Sequence, residues 1–292
     1  MTETIALIGA GRLAGVVGPA LAAAGVPVAA VASRNPASAQ ALAARIRGAY
    51  ACTPQEAADA AGLVLVTTTD GAVAEVAGAL RWRAGQAVVH CSGALTREAL
   101  APAVAQGALT GSWHPFQTLS DAVLAWAAGD ARRVLAGVTF GIEADEPLYG
   151  RLAALAEAMG GQALAVPASA RALYHAASVM SCGYLTTLLD AAATLWERAG
   201  LPREAAFAAI GPLARATLES VLTAGPEAAL TGPTSRGDEG TVRLHLGDVD
   251  ARAPELRPLY EAVSRRSVEL ARRAGRAGAE RDWEPVFRRE EG

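Results

Sequence analysis

The sequence contains no lysine; all 26 of its basic residues are arginines. No lysine side chain can therefore act as a general acid or form a Schiff base. Cysteine is scarce as well. Cys52, Cys91 and Cys182 are odd in number and share no metal-ligand spacing, which argues against a disulfide framework or a metal centre and fits a reducing cytosol. A dominant charge sign is also missing: 26 basic residues face 29 acidic ones, for a net charge of -3. That balance excludes a nucleic-acid footprint or a polybasic membrane surface. The uncharged stretch Val16 to Ser33 has no basic segment before it, only Glu3 and a single Arg12, and is broken by Gly18, Pro19, Gly25 and Pro27. It reads as part of a soluble, cytoplasmic protein rather than as a signal peptide or a membrane span. No internal repeat and no low-complexity tract stands out beyond general alanine enrichment.

What is present begins at Ile5. The run Ile5-Ala6-Leu7-Ile8 leads into Gly9-Ala10-Gly11-Arg12-Leu13-Ala14-Gly15, and a second apolar run, Val26 to Ala32, ends in Ser33-Arg34-Asn35. That order is a buried strand, a glycine turn opening a helix, and a second strand with a polar tip. Such a turn lets the backbone approach a pyrophosphate, which then rests on the N–H groups and positive dipole end of the helix. The strand before the turn and the helix after it supply the context that a bare glycine motif lacks. An NAD-preferring site would place Asp or Glu at the end of the second strand, to accept from the ribose 2′-hydroxyl. Ser33 and Arg34 stand there instead, and a hydroxyl with a cation suits a 2′-phosphate. NADPH is the expected cofactor; the bland alternative is a surface turn with an incidental arginine.

The length of 292 residues allows two domains. After the first β-α-β unit the pattern predicts a helix over Pro36–Arg47, a strand over Gly48–Cys52, and a helix to Asp59 capped by Thr53-Pro54. A strand over Leu63–Val66, a helix over Gly71–Leu80 and a strand over Gln86–Cys91 follow. Then come a short strand ahead of Gly111–Gln117, a strand over Val134–Ile142, a helix over Glu146–Met159 and a strand over Gln162–Val166. Short apolar strands alternating with helices indicate a doubly wound parallel sheet of the Rossmann type. From Ser169 strand signals stop, and Ala170–Ala199, Arg203–Leu222 and Pro254–Arg276 are helical in pattern. The expected domains are 1–167, α/β and NAD(P)-binding, and 168–292, all-α, with a frayed tail beyond about 277.

In such sheets the ligand lies outside the carboxyl ends of the strands. The expected cofactor contacts are therefore Gly9, Gly11, Arg12, Leu13 and Ala14 in the turn and Ser33 and Arg34 at the second strand. Thr68, Thr69, Cys91 and Ser92 are expected near the nicotinamide. All four histidines, His90, His114, His175 and His245, fall in polar segments. Positions 171, 175, 178 and 182 share one helical face carrying Arg, His, Ser and Cys. The segment Thr231 to Thr241 packs polar groups into a Gly/Pro-shaped loop ahead of a short helix, on which Thr241 and His245 share a face. Its Arg236 is a better carboxylate or phosphate clamp than part of an Arg-Gly-Asp recognition triplet.

The segments Gly9–Gly15, His90-Cys91-Ser92-Gly93-Ala94-Leu95, His114-Pro115-Phe116-Gln117, Tyr174-His175-Ala176-Ala177 and Gly232 to Asp238 through His245-Leu246 resemble the Rossmann-like proteins with a DUF2520 C-terminal domain. These sit in the wider 6-phosphogluconate dehydrogenase-like superfamily, whose relatives reduce pyrroline-5-carboxylate, ketopantoate or, with F420, NADP. The resemblance implies an N-terminal NAD(P)-binding domain, a helical second domain and a homodimer whose helical domains pack together. It supplies no substrate. Two departures stand out: the lysine used as proton donor by related hydroxyacid dehydrogenases is absent, and Gly183 occupies the place of a usual asparagine.

The reading is an NADPH-dependent oxidoreductase that reduces a small carbonyl or imine compound bearing a carboxylate, such as a 2-oxo acid. With lysine excluded, His175 is the candidate acid, Ser92 and His114 orient the substrate, and Arg236 holds its carboxylate. A pyrroline-5-carboxylate-like imine reductase and a non-catalytic nucleotide-binding protein are the alternatives. F420 as hydride partner is a third.

Overall fold

The computed structural model describes residues 3–126 and 130–288. The chain divides into two compact units, residues 1–182 and 183–292.

The first unit is built on one eight-stranded sheet. Its strands are β1 (Ile5–Ile8), β2 (Val28–Ala32), β3 (Tyr50–Cys52), β4 (Leu63–Val66), β5 (Ala87–His90), β6 (Leu109–Pro115), β7 (Thr139–Glu143) and β8 (Gln162–Ala165). They lie in the order β3-β2-β1-β4-β5-β6-β7-β8. The chain leaves β1 to one side for β2 and β3 and returns on the other for β4, so the order reverses beside β1, where such sheets bind ligands. Alternate residues feed two cores, as a strand's period of two requires. Ile5, Leu7, Leu63, Leu65 and Val89 enter one. Ala6, Ile8, Val64, Val66 and Val88 enter the other.

The sheet departs from the expected all-parallel pattern at one place: β7 runs antiparallel to β6, with His114 opposite Gly141 and Ser112 opposite Glu143. The predicted strand over Val134–Ile142 splits for a local reason. Asp130 caps a helical turn, Ala131–Leu135, by accepting from the Arg132 amide, and Gly137 at φ 74° ends it. The buried side chains of Val134 and Leu135, which look strand-like in sequence, thus belong to a helix. The segment Gly111 to Pro115, expected after a strand, is itself the body of β6. Antiparallel pairing brings the start of β7 to the carboxyl end of β6, beside His114.

The helix after the sheet runs Arg171–Val179 and continues as one π turn, Met180–Tyr184. Its Arg171 is buried and His175, Ser178 and Cys182 are half-buried, while Ala172, Leu173, Ala176 and Ala177 are exposed. The polar face is therefore the inner one.

The second unit is helical: Leu185–Arg198, Arg203–Ala224, Glu239–Arg252 and Arg257–Arg273 are its long elements. Three expectations are corrected here. The stretch after Gly232 is not an open loop but a helical turn, Pro233–Arg236, closed by Gly237 in the left-handed region. Gly237 needs that conformation and also has no room for a side chain, since a Cβ would sit 2.6 Å from Gly278. The helix that follows is not short but 14 residues long. Nor is the segment beyond 277 frayed: Trp283, Val286 and Phe287 are buried with Val242, Leu246 and Val268 in this unit's core. Buried Arg257 ties the segment down by donating to the Phe287 carbonyl at 2.9 Å. The charged residues around Trp283 and Phe287 mask these apolar anchors in sequence. Residues 289–292, the rest of that tail, lie outside the described residues.

Candidate active site

The glycine turn is shaped from beneath by Thr67. Its hydroxyl donates to the Gly9 carbonyl at 2.9 Å, and a Cβ on Gly9 (φ +118°) would lie 2.7 Å from the Thr67 backbone. Only glycine fits there. The helix Arg12–Ala23 starts at Gly11 with no side-chain cap and no acidic residue in its first turn, so its leading N–H groups, those of Arg12, Leu13 and Ala14, are left for another acceptor. Gly11 has no atom within 4 Å of its missing Cβ, which leaves the approach open. The Arg12 side chain is engaged elsewhere, in a bidentate pair with Asp121 at 2.9 and 3.2 Å. At the tip of β2, Ser33 is half-buried and Arg34 exposed. Among the described residues the Arg34 guanidinium has no ion pair or hydrogen bond.

Beyond β4, the buried Thr68 hydroxyl has no hydrogen-bond partner among the described residues. Such an atom is costly unless a ligand or water meets it. Thr69 is exposed at the start of the helix Asp70–Ala79 and makes no side-chain cap bond. Cys91 is buried in the core, and burial pushes its thiol up to about 12, so its side chain is packing.

His90 ends β5 and is fully buried. Its Nδ1 accepts from the Ser92 amide at 3.2 Å, so the proton is on Nε2, which donates to the Thr96 carbonyl at 2.9 Å. Burial holds its pKa below the usual histidine value. His90 is a brace for the loop rather than a reagent. Ser92 has a similar duty, its Oγ accepting from the amides of Ala94 and Leu95 at 3.1 Å each; the hydroxyl proton is still available to a ligand.

His114, near the end of β6, is held by Tyr174 from the helix Arg171–Val179. The Tyr174 hydroxyl lies 3.0 Å from His114 Nδ1 and 3.3 Å from the His114 carbonyl. The hydroxyl can donate to the carbonyl, and which partner donates in the Nδ1 contact depends on the ring's tautomer. Burial, with the charges of His175 and Arg171, lowers the His114 pKa to about 4, so the ring is neutral at ordinary pH. Gly141 makes the arrangement possible, because a Cβ there would lie 2.5 Å from the Tyr174 hydroxyl. Arg171 stands 5.7 Å from the Tyr174 ring. It is 1 % exposed and faces Glu143, whose Oε2 is 3.5 Å from Nη2. The Arg97 amide also donates to that oxygen, at 3.2 Å.

His175 completes the cluster. Its ring centre is 6.1 Å from that of His114 and nearly perpendicular to it. Both rings press on Gly93, where a Cβ would be 2.6 Å from His175 Cδ2 and 2.7 Å from His114 Nε2. Ser92, His114 and His175 are thus brought together at the carboxyl ends of β5 and β6. Arg236 lies in the second unit, exposed, at the end of its helical turn. Tyr174, Gly93, Gly141, Glu143 and Thr67 are the residues that sequence reasoning left off the candidate set. The signal for two of them was a glycine at or beside a strand, which marks close approach of another group.

Residues 2–115 match the Rossmann-like domain family, and residues 138–267 match DUF2520, a domain of unknown function. No curated protein matches the sequence. Among solved structures, a provisionally assigned NADP oxidoreductase from Bacteroides fragilis is 29% identical with a TM-score of 0.71, covering 91% of this chain and 98% of its own. A protein from Thermotoga maritima is 23% identical with a TM-score of 0.74, covering 93% and 100%. A reductive aminase from Aspergillus terreus, in complex with NADPH and ethyl-5-oxohexanoate, is 18% identical with a TM-score of 0.66, covering 99% and 100%. The fold is an NAD(P)-dependent oxidoreductase fold, shared also with pyrroline-5-carboxylate and imine reductases.

Proposed function

We propose that this chain, a Rossmann-like domain followed by a DUF2520 domain, is an NADPH-dependent reductase of a small carbonyl or imine compound. The observation that carries the reading is the pairing of His114 and His175 across Gly93, on the sheet edge that also carries the glycine turn. The residues fit the dinucleotide. Leu13 and Ala14 would hold the pyrophosphate on their amides, the unpartnered Arg34 with Ser33 would take a 2′-phosphate, and the orphaned Thr68 hydroxyl would meet the nicotinamide half. The bound dinucleotide supplies the hydride.

His175 is the proposed acid. Among the described residues its ring nitrogens have no hydrogen-bond partner, so they are available to a ligand, and an imidazole can carry and release the proton the step needs. It would protonate the oxygen or nitrogen that gains charge as the substrate is reduced. His114, neutral, orients that atom. Ser92 offers its hydroxyl proton, and Arg236 of the second unit is the proposed clamp for a carboxylate. The test is a panel of 2-oxo acids, ketones and cyclic imines with NADPH, followed at the nicotinamide absorbance. Oxidation by one class supports the reading, and His175→Ala should then cost about 10²–10⁴-fold in turnover. Tight NADPH binding with no oxidation anywhere would favour a nucleotide-binding accessory protein.

A homodimer is part of the proposal. Helix Arg203–Ala224 exposes Leu213 and Leu222 at 70% and 73% together with Phe207 and Leu218, more apolar surface than an isolated helix face would leave to water. By length and composition this helix could also cross a membrane, but Arg215 and Glu219 in its second half favour a protein partner in the cytoplasm. Sedimentation at micromolar concentration distinguishes a dimer from a monomer.

A further inference from the structure

We propose that the first unit holds a second ligand site, a cavity beside helix Arg12–Ala23 in which Arg45 and Ser38 bind the carboxylate of a small molecule with a short apolar body. Ser92, His114 and His175 do not line this cavity, so the site stands independently of the reductase reading. Its physical origin is Pro19. A proline inside a helix has no N–H for the carbonyl four residues earlier, and here that carbonyl belongs to Gly15. Nη2 of Arg45 fills the gap, donating to the Gly15 oxygen at 3.0 Å. One N–H of the guanidinium is thereby committed to the helix, and the planar fork is held in place. Among the described residues Arg45 has no carboxylate partner and no other hydrogen bond. A cation anchored in this way loses less freedom when it takes a ligand.

There is room for a ligand at that fork. Arg45 lines a cavity of about 400 Å³, within the size range of small-molecule sites. Val16, Leu42 and Val134 give it apolar walls. Arg12, Ser38 and Arg45 are its polar side chains, and among the described residues no acidic one lines it. Arg12 is already answered by Asp121, so Arg45 carries the uncompensated charge. The Ser38 hydroxyl has no hydrogen-bond partner among the described residues and adds a neutral donor. One cation and one hydroxyl at an apolar pocket match a carboxylate monoanion, which a guanidinium meets with two parallel N–H groups. An amine would be repelled there, and an alcohol would leave the fork unanswered. The site is also distinct from the dinucleotide's. Gly15 lies one helical turn past Gly11, and neither Ser33 nor Arg34 lines the cavity.

The experiment uses the full-length protein, with and without saturating NADP⁺, and hexanoate as the probe. Hexanol and hexylamine are its neutral and cationic counterparts. Binding is followed by methyl NMR, and hexanoate should shift the Val16, Leu42 and Val134 resonances whether or not NADP⁺ is present. Hexanoate should bind at least about tenfold more tightly than hexanol, as expected of a hydrogen bond to a charged group. Arg45→Gln, which keeps a side-chain N–H but no charge, should abolish that preference and leave hexanol binding unchanged. Arg45→Glu should reverse the order and favour hexylamine. Pro19→Ala gives the Gly15 carbonyl a helical partner and frees the guanidinium. It should weaken hexanoate by about 2–10-fold, since the fork must then be ordered on binding. Equal affinity for hexanoate and hexanol, or a response confined to other methyl groups, overturns the proposal. Loss of hexanoate binding on addition of NADP⁺ also overturns it, and would assign Arg45 to the dinucleotide.

Discussion

The Tyr174 hydroxyl bridges Nδ1 and the carbonyl of the same residue, His114, at 3.0 and 3.3 Å. It therefore holds the tilt of the ring, and Gly141 opposite His114 is the vacancy that lets it in. A tyrosine one residue before His175 thus controls the histidine that faces His175.

Gly93→Ala tests whether the two histidines act together. The new methyl would meet both rings at under 3 Å, and one of them must move. Overpacking of this kind costs about 1–3 kcal/mol. We expect turnover to fall at least about 100-fold, since a displacement near 1 Å at a reacting group has that effect, with NADPH affinity unchanged. Steady-state kinetics beside a dinucleotide titration separates the two.

Much of this region was legible in the sequence, and the exceptions have physical causes. The glycine turn, the β1-β4-β5 edge and the inner face of Arg171, His175, Ser178 and Cys182 follow from spacing alone. The antiparallel β7 does not, because the Asp130 cap and Gly137 turn an apolar run into a helix. Tyr174 escaped because its role depends on a partner strand that only pairing direction brings near. His90 and His114 look alike in sequence, each ending a strand, and are distinguished only by which ring nitrogen finds a partner.

The acid side of the stability curve should report His114. Its pKa is about 4 in the folded protein against 6.5 for an ordinary histidine, so between those values the unfolded chain binds more protons and stability rises with pH. Stability is lost as pH falls from 6.5 toward 4, by at most about 3 kcal/mol from this residue. His90 shifts in the same direction. Urea unfolding at several pH values should show a shallower slope in His114→Phe than in the parent.

Arg34→Ala should raise the NADPH dissociation constant about 10–100-fold and leave NADH unchanged, because a charge-assisted phosphate contact is lost. Fluorescence titration with both dinucleotides checks this, and equal losses for the two would remove Arg34 from the 2′-phosphate.

Phe287→Ala should destabilise the second unit by about 3–5 kcal/mol, although it lies close to the end of the sequence. The side chain is 3% exposed within the small core around Val242 and Leu246. Thermal unfolding followed by circular dichroism would show it.

The most direct measurement is NADPH oxidation with 2-oxo acids, ketones and unprotonated cyclic imines side by side, in the parent protein and in His175→Ala. We expect oxidation with one of these classes, whose reacting atom must take a proton as hydride arrives, and a loss of about 10²–10⁴-fold on removing His175. Firm NADPH binding with no oxidation by any of these compounds, or turnover indifferent to His175, would contradict it.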